Sequence, residues 1–295
     1  MYRTIILLCI FAPFALDAAL PPGFRVRYNY SKVGIGTESF IPLPQNRKAA
    51  SDLGWIQVPR PDGPIAYASL VLYCPPEDYT MCVMYDDTGY VAGLQIGLDT
   101  EALYSLVFDM PTIGYTQWKA KLQGKDKTFW TLQQYYISPE MLTFNAASRL
   151  AVRDPTKFIQ GSDVYVSGIY GRITRIPTDP AQFDSIFKKQ TCLDGMGIHF
   201  YYNITPQFEC AAEQMFPWFT LVDDGQLIGL GLLTYGRRTV PPGQRDWLEN
   251  YTGNTIQYVL RDRVQCLWDI GQKKQMMVLH TYFTDRPFDI KCRLD

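Results

Sequence analysis

Acid–base chemistry near neutral pH can come from only two side chains in this sequence, His199 and His280. His280 lies in Val278-Leu279-His280-Thr281-Tyr282, where strand alternation puts it on one face with Val278 and Tyr282. A histidine beside tyrosine on such a face could act as a general base in an aromatic pocket. His280 is therefore the candidate catalytic residue of a hydrolase or of a cofactor-independent, luciferase-like oxidase. His199 lies in Ile198-His199-Phe200-Tyr201-Tyr202-Asn203, and alternation groups His199, Tyr201 and Asn203. Asn203 opens a glycosylation sequon, so this face is expected to be open to solvent and unsuited to buried acid–base work. Aromatic rings stack on sugar faces or line apolar cavities, which makes Tyr201, His199, Tyr135 and Tyr282 the candidate ligand-binding set.

Other chemistry is thinly represented. The paired acids Asp86-Asp87 and Asp223-Asp224 invite a two-carboxylate hydrolase reading. Adjacent residues in a hairpin point apart, however, and a calcium site needs more oxygen ligands than two. Asp followed by Gly89 or Gly225 reads instead as a tight turn. No GxSxG elbow, HExxH helix, GxGxxG fingerprint or phosphate-binding loop occurs. No cysteine pair has CxxC spacing, so neither a metal nor a redox centre is expected, and no cofactor is implied.

The elements that must position these side chains come in two copies. Asp86-Asp87-Thr88-Gly89-Tyr90-Val91-Ala92-Gly93-Leu94 recurs, less Thr88, as Asp223-Asp224-Gly225-Gln226-Leu227-Ile228-Gly229-Leu230. Downstream, Leu132-Gln133-Gln134-Tyr135-Tyr136-Ile137 is echoed by Leu279-His280-Thr281-Tyr282-Phe283-Thr284 with the Gln133 and His280 columns matched, the second copy being about ten residues longer. Units of this length do not fit a solenoid. The expected fold is a β-rich α+β chain: two tandem related half-domains of antiparallel strands with a few short helices. The divisions are residues 1–19, a signal peptide; 20–151, an N-terminal wrap with the first half-domain; 152–191, a connector; and 192–295, the second half-domain. Strands are expected over 24–28, 66–73, 82–85, 90–98, 129–137, 163–173, 198–204, 257–260, 265–270 and 276–283. Ser138-Pro139 and Asp179-Pro180 each read as a helix start, the second with Phe183, Ile186 and Phe187 as its apolar stripe. Gly229-Leu230-Gly231 inside a strand marks a bulge or a close backbone approach.

The address is extracellular. Met1-Tyr2-Arg3, an apolar stretch over 5–16 and small residues at Ala18 and Ala19 read as a signal peptide, too short to span a bilayer. The polar C-terminus offers no lipid-anchor tail. Sequons start at Asn29, Asn203 and Asn250. With Cys9 removed, Cys74, Cys82, Cys192, Cys210, Cys266 and Cys292 remain, and local pairing would join Cys74–Cys82, Cys192–Cys210 and Cys266–Cys292. A net charge of −1 gives no electrostatic footprint for nucleic acid. These features describe a secreted, disulfide-bonded glycoprotein that binds an extracellular ligand, whether a glycan, a small apolar molecule or a protein partner. The alternatives are the His280 enzyme and a structural component of an extracellular matrix or egg coat.

Overall fold

A computed structural model describes residues 23–28, 37–61, 63, 69–183, 187–261 and 264–292. The signal segment, the Asn29 sequon and Ile186 lie outside the described residues. Along the chain run β1 (Arg25–Arg27), β2 (Phe40–Pro42), α1 (Arg47–Asp52), β3 (Ile56–Val58), β4 (Val71–Cys74), β5 (Met81–Tyr85), β6 (Val91–Asp99), β7 (Leu103–Tyr104), β8 (Thr116–Leu122) and β9 (Lys125–Tyr135). Then come α2 (Ala146–Val152), β10 (Asp163–Ser167), β11 (Ile173–Pro177), β12 (Phe187–Leu193), β13 (Gly197–Tyr202), β14 (Trp218–Asp223), β15 (Gln226–Tyr235) and β16 (Arg237–Arg238). The chain closes with β17 (Glu249–Tyr251), α3 (Gly253–Val259), α4 (Gln265–Lys274) and β18 (Met276–Tyr282).

The strands form two large antiparallel sheets, as the repeated pattern predicts. The first runs β11-β10-β9-β6-β5-β4-β3 with β8 also on β9, and the second β12-β13-β14-β15-β18-β1-β2 with β17 also on β18. Their registers are the same. Gly93 faces Tyr135 across β6–β9, and Gly229 faces Tyr282 across β15–β18. Both sheets break register just after the residue opposite that glycine on the preceding strand, at Met84/Tyr85 and at Leu221/Val222. The residues skipped there, Ala92 and Ile228, each accept a backbone bond, from Tyr136 N at 2.9 Å and from Phe283 N at 2.8 Å. The Asp-Gly turns behave as their chemistry requires. Gly89 has φ +85°, Gly225 +72° and Asp224 +44°, and Asp86 Oδ1 accepts from Thr88 N at 2.9 Å.

The two sheets pack face to face about a pseudo-twofold relation, so that repeat-related residues touch. Gln134 Nε2 lies 3.3 Å from Thr281 Oγ1, and the Tyr136 and Phe283 rings are 5.3 Å apart. Around them lies one continuous core containing Leu94, Leu132, Val166, Trp218, Leu230 and Leu279. Trp218 Nε1 donates to Ser167 O across it at 2.7 Å. No helix of the described residues is long and apolar enough to cross a membrane.

Several local expectations are corrected. The first two N-terminal strands do not join the first half: β1 pairs with β18 and β2 with β1, so they finish the second sheet, and only β3 joins the first sheet, on β4. The first sheet is finished by β10–β11, from the segment expected to be a connector. Each sheet thus takes its closing hairpin from upstream or downstream sequence, a long-range pairing that local pattern does not encode. Asp179 caps a single 3-10 turn, Pro180–Gln182, which ends at Phe183. Phe187 instead opens β12, because its segment pairs with Tyr202 at the edge of the second sheet. Of residues 257–260 and 265–270, expected as strands, 257–259 belong to α3, which Leu260 caps, and 265–270 belong to α4. These helices cross closely at two glycines, a Cβ on Gly271 meeting Gly253 Cα at 2.9 Å. Ser138 accepts from Met141 N at 3.1 Å but starts only a 3-10 turn, α2 following under an Asn145 cap.

The disulfides are Cys74–Cys82, Cys192–Cys292 and Cys210–Cys266. Only the first is the local pair expected from spacing. The C-terminal tail runs back to the β12–β13 turn, where Gly195 N bonds Ile290 O at 2.9 Å and Cys292 N bonds Asp194 Oδ1 at 2.8 Å. That path brings Cys292 to Cys192 and leaves Cys210 to tie the loop before β14 to α4.

Candidate functional site

The outer face of the second sheet carries the chemistry. Across it, Tyr201, Phe219, Gly231, His280 and Arg27 form one lateral row through β13, β14, β15, β18 and β1. Gly231 has a packing reason: the Phe219 ring occupies the space a side chain there would need. Phe219 thereby reaches both histidines, with ring centroids 5.5 Å from His199 and 5.4 Å from His280.

His280 is held from the next strand. Glu249 on β17 stands opposite Val278, and its Oε1 lies 2.7 Å from His280 Nδ1. Glu249 Oε2 accepts from Tyr251 OH at 2.6 Å and lies 3.4 Å from Arg27 Nη1. Arg27 Nη1 also lies 3.1 Å from Met196 Sδ. Arg27, Glu249 and His280 all have side chains 2% exposed or less. Burial alone would raise the Glu249 carboxyl. His280, Arg27 and Tyr251 outweigh it and hold the group ionised, below the usual carboxylate range. Burial likewise pulls against the Arg27 charge, but Glu249 and the tyrosines raise its pKa above the ordinary arginine value.

His199 is buried, against the expectation of an open face. The alternation ends at Tyr202, and Asn203 turns outward at φ +50°, so the sequon does not report on the strand before it. His199 Nδ1 lies 3.2 Å from Gly197 O. Burial first, and then the neighbouring His280, depress its pKa to about 3, so it is a neutral imidazole.

Over these groups α3 and α4 close a cavity of about 60 Å³. Its walls are mostly apolar, including Leu193, Leu233, Ile256, Leu267 and Val278, while His199, His280, Tyr201 and Tyr235 give it polar points. Tyr258 on α3 lines the cavity and is 67% exposed, which places the mouth at that helix. The structure therefore brings His199, Tyr201, His280 and Tyr282 together, Tyr282 stacking 6.4 Å from His280. Tyr135 is elsewhere: it is the repeat equivalent of Tyr282 and is buried on the outer face of the first sheet.

Sequence reasoning missed Glu249, Arg27, Tyr251 and Met196. A signal existed for two of them. Asn250 is an exposed sequon in a strand, so alternation sends Glu249 and Tyr251 inward. The paired acids are turn residues, with one addition: Asp86 is buried and receives Arg149 Nε at 3.0 Å, while Arg149 also pairs with Asp87. Among the described residues no three His, Cys, Asp or Glu side chains converge as metal ligands. No family model, curated protein or solved structure matches the chain.

Proposed function

We propose that this is a secreted glycoprotein that binds a small apolar ligand in the cavity between the second sheet and α3–α4. The observation that carries the reading is an apolar cavity with His280 at its wall, fixed from behind by Glu249. Preformed apolar sites with a few placed polar groups are the usual form of small-molecule pockets. Three disulfides and the exposed Asn203 and Asn250 fit an extracellular route. Native mass spectrometry of the protein purified from its own source tests this. A stoichiometric mass that disappears on denaturation and is absent when Val278→Trp fills the cavity supports the reading. A bare glycoprotein mass, together with no binding across an apolar small-molecule library, sinks it.

An enzyme is the second reading, favoured by the Glu249–His280 pair, in which a carboxylate orients an imidazole as in general-base sites. Turnover of a bound ligand that stops in His280→Gln would move the assignment from carrier to catalyst.

A further inference from the structure

We propose that the ligand is an apolar alcohol or phenol whose hydroxyl donates a hydrogen bond to Nε2 of His280; this rests on the cavity being a ligand site. The proton positions follow from the neighbours. An ionised Glu249 can only accept, so the short contact at Nδ1 is an N–H donation from His280 to Oε1. In the neutral ring Nε2 is then a bare lone pair, and it is the nitrogen left to address the cavity that His280 lines. No group among the described residues bonds it. What it lacks is a donor.

Charge selects among the donors and against acids. Arg27 and Glu249 already form a neutral buried pair, so a neutral His280 leaves the cluster without net charge, free or occupied. A carboxylate ligand would need an imidazolium to meet it, which places two cations around one buried carboxylate before binding. An ether or ketone offers only acceptors and leaves Nε2 unsatisfied. A hydroxyl satisfies Nε2 and adds no charge. It also keeps an acceptor lone pair, and the cavity holds a second buried, unpartnered group, the Tyr235 hydroxyl, to which a further polar point on the ligand could bond.

Isothermal titration of the intact protein with 1-octanol, octyl methyl ether and sodium octanoate, three probes of similar reach, tests the inference. The alcohol is expected to bind roughly tenfold or more tighter than either of the others, the difference an unpaired buried acceptor makes. In His280→Phe a ring of similar shape carries no nitrogen and presents no acceptor to the cavity, while Glu249 keeps Arg27 and Tyr251 as partners. The alcohol's advantage there should shrink to within about twofold, the ether being little affected. Equal binding of alcohol and ether by the wild-type protein overturns the hydroxyl anchor and leaves the pocket standing. So does octanoate as the tightest probe, which would make His280 an imidazolium. Absence of binding by all three overturns the pocket reading and this inference together.

Discussion

His280 stands in the second sheet where Gln133 stands in the first. Each lies opposite the same position of the neighbouring strand, Gly231 for His280 and Gln95 for Gln133. Gln133 sits in an uncharged network, bonded to Gln95 at 3.3 Å, Thr131 at 3.2 Å and Ser167 at 2.7 Å. By the same register Thr116 corresponds to Glu249, Leu72 to His199 and Ser167 to Arg27. One fold unit thus appears twice with its outer polar cluster neutral in one copy and ionised in the other. The copies share their turns and bulges, so the charged version reflects a local requirement of the second sheet and not of the fold.

The first prediction concerns that ionised cluster. Glu249→Ala removes the partner of the buried Arg27 and should destabilise the protein by about 3–5 kcal/mol, the usual effect of stranding one half of a buried ion pair. The double change Arg27→Met with Glu249→Leu removes both charges and should recover most of that loss. Urea midpoints of the wild type, the single and the double variant decide it. A double variant as unstable as the single one would mean that packing, not charge, controls this site.

The repeat, the turns and the strands around them were legible because they depend on local chemistry: Asp and Gly at a turn, a period of two beside it. The helices α3 and α4 were not. Segments 257–260, at the end of α3, and 265–270, in α4, carry apolar and aromatic side chains, which read as strand. Tertiary context decides otherwise, since the Gly253–Gly271 crossing lets two helices lie closely over the cavity. The site was half legible. His280 and Tyr282 share a face by alternation, whereas Arg27 reaches them only because β1 crosses to the far end of the chain to pair with β18.

A second prediction follows from the neutral state of His199. In the folded protein it resists protonation down to about pH 3, whereas in the unfolded chain it takes a proton near pH 6.5. Between those values the unfolded state binds more protons, so stability falls as pH drops through the window, at up to about 1.4 kcal/mol per pH unit. Glu249 acts in the same direction but lower. Its contribution is present above the ordinary carboxylate range and lost as pH falls through its depressed folded value. His199→Leu, which copies Leu72 of the first sheet, should flatten the profile between pH 6.5 and 5 while leaving the lower limb. Parallel stability profiles for wild type and variant over that interval would refute the buried, neutral assignment.

Gly231 provides a third prediction. The Phe219 ring fills the space over it and touches both histidines. Gly231→Ala must push that ring aside, and overpacking of this kind costs roughly 1–3 kcal/mol. Because Phe219 packs against His199, Tyr201 and His280, which line the cavity, the variant should also weaken 1-octanol binding. The mirror change in the other sheet, Gln95→Ala, only shortens a side chain and should leave probe affinity untouched. Equal affinity for wild type and Gly231→Ala would show that the Phe219 ring does not shape the cavity.

The last prediction separates the disulfides by what they close. Cys192–Cys292 spans 100 residues and Cys74–Cys82 spans 8. In the chain-entropy account the longer loop restrains the unfolded state more, by about 4.7 kcal/mol against something under the roughly 3 kcal/mol of a 15-residue loop. The double serine variant at Cys192 and Cys292 should therefore lose more stability than the one at Cys74 and Cys82. It should also release the tail around Ile290 from Gly195, visible as faster exchange of the Gly195 amide and of the backbone amide at position 292. Non-reducing peptide mapping fixes the starting point. A Cys192–Cys210 fragment would contradict the tail path, and with it the contact between Tyr282 OH and Gly195 O, 3.5 Å apart, that backs the site.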